Sequence, residues 1–374
     1  MVSTYASYQL ITRDIDRSIG RVQKQPVVER DTKYYLDNIT KVKSVDEFVA
    51  DTRLFNYAMK AHGLSDMAYA KAFMKKALNE GISDPNSFAN KLTDKRYAEF
   101  VKTYNFAAHG AEATVHNPTQ QTTVTRYQLE AAKNGVLPTN PVLIKQTQDY
   151  LVDIRKITSI DEFLADDDVY QFALKAWGLS EKLGDKAFIR KVLEGGVADP
   201  ASFANKQTDG KWASFATAFN FAEHGATTTT RNPAQQDAVG MYLRQTLEEN
   251  AGKENEGVRL ALYFERKAGT IKNAFSILSD PALANVVRTA LGLPDAMAQA
   301  DVDVQARMLE KRLNFADFQN PKALGKFLAR FSAMYEIKNG TPATASPAVR
   351  ILTSQPLEFG ISTSTLLALT QLRK

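Results

Sequence analysis

The chain repeats itself at a fixed interval of 115 residues. Gly63-Leu64-Ser65 returns as Gly178-Leu179-Ser180, and Asp84-Pro85 with Ser87-Phe88-Ala89-Asn90-Lys91 returns as Asp199-Pro200 with Ser202-Phe203-Ala204-Asn205-Lys206. Asn105-Phe106-Ala107, His109, Gly110 and Ala111 come back as Asn220-Phe221-Ala222, His224, Gly225 and Ala226, without a gap. Self-similarity at such a period marks an array of like supersecondary units that bury their apolar faces against one another. The expected fold is therefore all-α, a multihelical tandem repeat of two well-matched units of about 115 residues and a diverged third.

The signals between the landmarks are helical. Residues 1–24 read as an amphipathic segment, with Tyr8, Ile11, Ile15 and Val22 at helical spacing, packing on the array or serving as a docking or export segment. The first unit, 25–138, opens at Gln25-Pro26, and the second, 139–253, at Asn140-Pro141, with proline at the first helical position. Ser44-Val45-Asp46-Glu47 and Ser159-Ile160-Asp161-Glu162 are capping boxes, in which serine accepts from the third residue's amide and glutamate reaches back to the serine N–H. That role accounts for the spacing of these acids without catalysis. Gly63 and Gly178 end helices in a left-handed turn. Asp84-Pro85 and its copy open short helices, and one helix per unit carries Phe100, Tyr104 and Phe106, or Phe215, Phe219 and Phe221. Long helices from Asn117-Pro118 and Asn232-Pro233 each bridge to the next unit, with hinges expected at residues 135–139 and 252–255.

A third unit, 254–338, is eroded. Ser279-Asp280, Leu291-Gly292-Leu293 and Asn320-Pro321 echo the landmarks, but their offsets drift and the Asn-Phe-Ala-x-His-Gly signature is gone. Terminal repeats face solvent instead of a neighbour, which relaxes the pattern. Residues 339–347 compose a linker, and 348–374 an amphipathic tail with Leu366, Leu369 and Leu372 on one side.

Composition narrows the chemistry. With no cysteine, disulfides, thiolate metal sites and cysteine nucleophiles are excluded. The net charge of +5 is interspersed, not gathered into a basic stripe with aromatic partners, so nucleic acid is not an expected ligand. No apolar run approaches the ~20 residues of a membrane span, and Met1 to Leu10, without a basic region followed by an apolar core, are not expected to be a cleavable signal peptide. The expected compartment is the cytoplasm, with threading through a secretion channel as the alternative.

No phosphate-binding glycine loop, nucleophile elbow or zinc-protease pair is present. No catalytic residue, cofactor or metal is therefore assigned. If the chain has a site, His109 and His224 are its candidates, each just before a glycine at a helix end. A histidine there also caps a helix by bonding its last carbonyls. His62 and His116 become Trp177 and Arg231 in the second copy, so neither is expected to be essential to the unit. Asn105 and Asn220 interrupt helical sequence and are expected to bond an adjacent loop.

Taken together, the Ser44–Phe48 capping stretch, the Ala-x-Gly-Leu turn around Gly63 and Gly178, and the Asn-Phe-Ala-x-His-Gly signature resemble an uncharacterised alphaproteobacterial family, domain of unknown function number 1217. The resemblance covers nearly the whole chain. It implies multihelical repeats and a flagellar gene setting, and supplies no functional residues. The function expected is that of a non-enzymatic interaction or scaffold protein with a flagellar protein partner. The alternatives are an exported structural component of the flagellum, using the flagellar secretion route, and a small-ligand protein or enzyme using the repeat histidines.

Overall fold

The computed structural model describes residues 3–339, and every regular element among them is a helix. The tail at 348–374 and nearly all of the 339–347 linker lie outside the described residues. The N-terminal segment is two helices, α1 (Thr4–Thr12) and α2 (Ile15–Gln23), because Asp14 breaks the first and N-caps the second, accepting from Arg17 N at 3.0 Å. The first unit follows as α3 (Pro26–Ile39), α4 (Val45–Ala50), α5 (Thr52–Ala61), α6 (Lys71–Glu80), α7 (Phe88–Lys91), α8 (Arg96–Thr103) and α9 (Phe106–His109). After α10 (Thr123–Lys133) the second unit repeats the order as α11 (Pro141–Asp153), α12 (Ile160–Ala165), α13 (Asp167–Ala176), α14 (Lys186–Glu194), α15 (Lys211–Ala218) and α16 (Phe221–His224). Then come α17 (Ala238–Glu254), α18 (Glu256–Lys267), α19 (Ala274–Leu278), α20 (Pro281–Ala290), α21 (Val302–Glu310) and α22 (Pro321–Asn339).

The retained motifs are local closures. Ser44 Oγ accepts from Glu47 N at 3.2 Å, but Glu47 Oε2 accepts from Lys43 N at 2.7 Å, one residue earlier than the capping-box pattern predicts. Thr158 N and Glu162 repeat this at 2.6 Å. Asn90 Nδ2 donates to the carbonyls of Ile82 and Asp84 at 3.0 and 2.8 Å, and Asn205 does so to Val197 and Asp199 at the same distances. This clamp, not a helix cap at Asp84, explains the repeated Ser-Phe-Ala-Asn-Lys, and in the second unit those residues form no α-helix. The expected helix through Phe106 is broken at Tyr104. Asn105 starts α9 as its N-cap, accepting from Ala108 N at 3.2 Å. It is packed by Gly81, whose φ of +70° and lack of a side chain let Ala107 approach: a Cβ there would sit 2.7 Å from the Ala107 Cβ.

The units are not stacked in sequence order. The bridging helix of the first unit, α10, packs on α13 of the second, while the bridging helix of the second, α17, turns back onto α5 of the first. The first core accordingly includes Tyr242, Leu243 and Leu247 from α17, and Val124 and Tyr127 of α10 pack on the second. The two units have exchanged helices, each lending its bridging helix to the other, and α17 also packs along α18 of the third unit, the onward bridge expected of it. The third unit keeps its own: α22, which follows Asn320-Pro321 as α10 follows Asn117-Pro118, packs on α20.

The third unit is also less eroded than its sequence suggests. Tyr34 Oη donates to Asp51 Oδ2 at 2.8 Å, and Tyr263 Oη to Asp280 Oδ2 at 2.5 Å, each residue displaced by 229 positions. Gly292, with φ +64°, stands 229 positions after Gly63, with φ +68°. Register is therefore strict through the first half, and the drift begins beyond Gly292. At 252–255, where a hinge is expected, α17 runs to Glu254 and Asn255 alone, in extended backbone, separates it from α18 and caps that helix. The N-terminal helices link two of the cores: Tyr8 of α1 joins the third and Val22 of α2 the first.

Candidate functional site

The seam where α10 and α17 cross between units holds the densest buried polar chemistry that both copies share. Each crossing starts with asparagine and proline followed by one π-helical turn, Pro118–Thr122 and Pro233–Asp237. A π-turn leaves carbonyls out of the regular ladder and usually marks a place with a second duty. Asn117 Nδ2 donates to the carbonyls of Thr228 and Arg231 at 3.1 and 2.6 Å, and Asn232 Nδ2 donates to that of His116 at 2.8 Å. Gln120 Nε2 reaches the Thr229 carbonyl at 2.7 Å, and Gln235 Nε2 the Thr114 carbonyl at 3.0 Å. Tyr150 Oη donates to the Thr119 carbonyl at 2.6 Å, and Tyr35 Oη to the Ala234 carbonyl at 2.5 Å.

Aromatic stacking repeats the exchange. Tyr35, Tyr57 and Tyr242 form a stack with centroids 4.3 and 3.8 Å apart, and Tyr150, Phe172 and Tyr127 form its counterpart at 4.1 and 3.9 Å. In both, the third ring comes from the other unit's helix. Each pair of rings lies within 23° of parallel, so the stacks bury their large apolar faces against one another.

The two candidate histidines lie beside this seam and do not meet in one site. His109 stacks on His116, ring centroids 3.6 Å apart and 11° from parallel, and His116 Nε2 is 3.0 Å from Thr122 Oγ1. Burial lowers the pKa of both, that of His116 to about 4, with the neighbouring His109 adding to the effect. In the second unit Arg231 replaces His116. Its Nη1 lies against the His224 ring nitrogens and its Nε donates to Asp237 Oδ1 at 2.5 Å. Burial first, then the Arg231 charge, lowers the His224 pKa. Thus position 116 or 231, set aside because its residue type changes, is the partner of the retained histidine seven residues earlier. The change is paired, since Thr122 becomes Asp237 as His116 becomes Arg231. The rings serve these side-chain contacts in place of the expected carbonyl caps.

Among the described residues no three His, Cys, Asp or Glu side chains gather in a way that could hold a metal ion. No described helix is long and apolar enough to cross a membrane. Outside the seam, a groove of about 540 Å³ opens between α10 and α11, lined by Tyr127, Glu130, Asn134, Val136 and Val142 among others. Of its lining Val142 is exposed at 64%, and Leu129 of α10 and Leu137 of the loop after it, which do not line the groove, are exposed at 58% and 69%.

Comparison with known proteins supports the repeat reading. The family model described as "Protein of unknown function (DUF1217)" matches residues 61–184 and again 176–324, two starts separated by the repeat interval. The X-ray structure of protein AGR_C_984 from Agrobacterium tumefaciens, a structural-genomics target, is similar to this chain at 37% identity. The match covers 91% of this chain and 97% of that one, with a TM-score of 0.53. No curated protein matches. The chain belongs to the DUF1217 family of proteins of unknown function.

Proposed function

We propose that the protein is a non-enzymatic interaction or scaffold protein acting in flagellar assembly or motility, the setting implied by its family resemblance. The observation that carries this reading is the use made of the repeated polar residues. Asn117, Asn232, Gln120, Gln235, Tyr35 and Tyr150 are all spent on carbonyls across the seam. What duplication preserved is thus accounted for by assembly of the body, and the surface it displays is left as the means of action. Helical repeats suit that role because they hold extended faces rigid. Val142 of the α10–α11 groove, with the exposed Leu129 and Leu137 of α10 and the loop that follows it, is the first place for a partner to bear.

The test is capture of tagged protein from its own cell, with L129D and V142D variants as comparison, alongside deletion of the gene. A flagellar protein captured by the parent and lost with L129D supports the reading. Normal flagella and swimming in the deletion strain, over several growth conditions, refute it. Recovery of the protein from the medium, lost when the flagellar export apparatus is disabled, would move the assignment to an exported component.

A further inference from the structure

Lys175 of the α10–α11 groove stands one repeat interval after Lys60. In the first unit Lys60 Nζ lies 2.9 Å from Glu249 Oε2 of the exchanged helix α17 and 5.0 Å from the centre of the Tyr242 ring. The second unit keeps the lysine and the ring, as Lys175 and Tyr127, and loses the acid, since the counterpart of Glu249 is Asn134. Asp31, whose charge also acts on Tyr242, becomes Gln146. Lys175 is left exposed, with no hydrogen bond or ion pair from its side chain among the described residues. Glu130, on the same groove, is held by Lys133 at 2.6 Å.

Two amides of the lining are turned so that their N–H groups are the free ends. Asn140 Oδ1 caps α11, accepting from Val142 N at 2.8 Å and Leu143 N at 3.3 Å, and Gln146 Oε1 accepts from Tyr127 Oη at 3.0 Å. An amide whose oxygen is committed offers its NH₂ group as a donor. Neither nitrogen has an acceptor among the described residues. The groove thus presents an ammonium and two amide donors beside the apolar Val136 and Val142, in a volume of about 540 Å³, a size that holds ligands in other proteins.

We propose that this groove seats an acidic segment of a protein partner: a Glu or Asp side chain whose carboxylate accepts from Lys175, Asn140 and Gln146, next to an apolar side chain that rests on Val136 and Val142. This rests on the reading of the chain as an interaction protein and gives its partner a chemistry. The first unit supplies the pattern, because Glu249 there places a carboxylate on the equivalent lysine. Hydrogen bonds from an ammonium to a carboxylate are stronger than neutral ones, and complementary charge selects among partners.

The experiment is selection from a random peptide library on the full-length protein, followed by affinity measurements with the strongest peptides. Peptides that set Glu or Asp next to Leu, Ile, Val or Phe are expected, and Lys175→Gln should weaken them by about tenfold. Exchanging the peptide's acid for its amide should weaken binding to the parent equally, and should change nothing on Lys175→Gln. Asn134→Glu, which restores the first unit's acid, should block binding, whereas Lys60→Gln should leave it intact because that lysine is already paired. The proposal is overturned if no peptide is selected, if the selected peptides carry no acid, if they bind Lys175→Gln or Asn134→Glu as tightly as the parent, or if Lys60→Gln weakens them as much. Normal swimming in the deletion strain, with these peptides still bound through Lys175, would remove the flagellar setting and leave the groove assignment standing.

Discussion

His62 offers a quantitative probe of the exchanged interface, because the second unit supplies its control. Trp177, its counterpart, donates from Nε1 to Thr123 Oγ1 of the exchanged helix at 3.1 Å. The position matching Thr123 on α17 is Ala238, and the Nε2 of His62 is buried without a partner among the described residues. Burial, with smaller contributions from Lys267 and Arg266, lowers the His62 pKa from 6.5 to about 3. Above pH 6.5 the ring is neutral in both states and its titration contributes nothing. Below it the unfolded chain takes up a proton that the folded chain refuses until about pH 3. Each pH unit in that window therefore removes about 1.4 kcal/mol of stability, or about 2 kcal/mol between pH 7.5 and 5.0. His62→Phe, which keeps a ring against Phe100 and Tyr104, should erase this loss. Urea unfolding of both proteins at the two pH values measures it, with other titrating groups cancelling in the difference. At pH 7.5 the variant should equal or exceed the parent, since an unpartnered polar atom is gone, by up to about 2 kcal/mol. A variant destabilised equally at both pH values would refute the reasoning.

Other consequences are as direct. Asn117→Ala removes two donations across the seam and the acceptor for Thr119 N at 2.8 Å, and should cost about 3 kcal/mol in denaturant unfolding. Gly81→Ala forces both a φ of +70° and a 2.7 Å Cβ contact, so it should lower stability by more than about 2 kcal/mol, whereas Gly110→Ala, at φ +52° in open space, should cost about 1 kcal/mol. Glu248→Gln leaves Arg244 and Arg266 without their shared charge inside the α17–α18 junction. A loss of about 3–5 kcal/mol is expected, little changed by added salt because the carboxylate is buried.

The faces of the exchanged helices show how closely local sequence follows packing once packing is known. Leu243 and Leu247 of α17, which packs against α2, are buried, while their counterparts on α10, Gln128 and Ala132, face solvent. Read alone, that difference is ordinary divergence between repeats. The histidine partners were similarly hidden: position 116 looked dispensable because its residue type changes, yet its contact with the retained histidine persists as the type changes.

The order of helices, their caps and the third copy's landmarks are written in the sequence because they depend on neighbours within a few residues: a serine before an acid, a proline at a helix start, a glycine at positive φ. Which helix packs on which unit is not written there. With two copies that share their landmarks and apolar spacing, α10 on its own unit and α10 on the other would bury side chains of the same kind, so the hydrophobic pattern does not separate the two. The contacts that do distinguish them end on main-chain carbonyls, those of Thr228, Arg231, Thr229 and Thr114, a group almost every residue carries. Only the folded chain, by bringing those carbonyls to Asn117, Gln120 and Gln235, decides between one arrangement and the other.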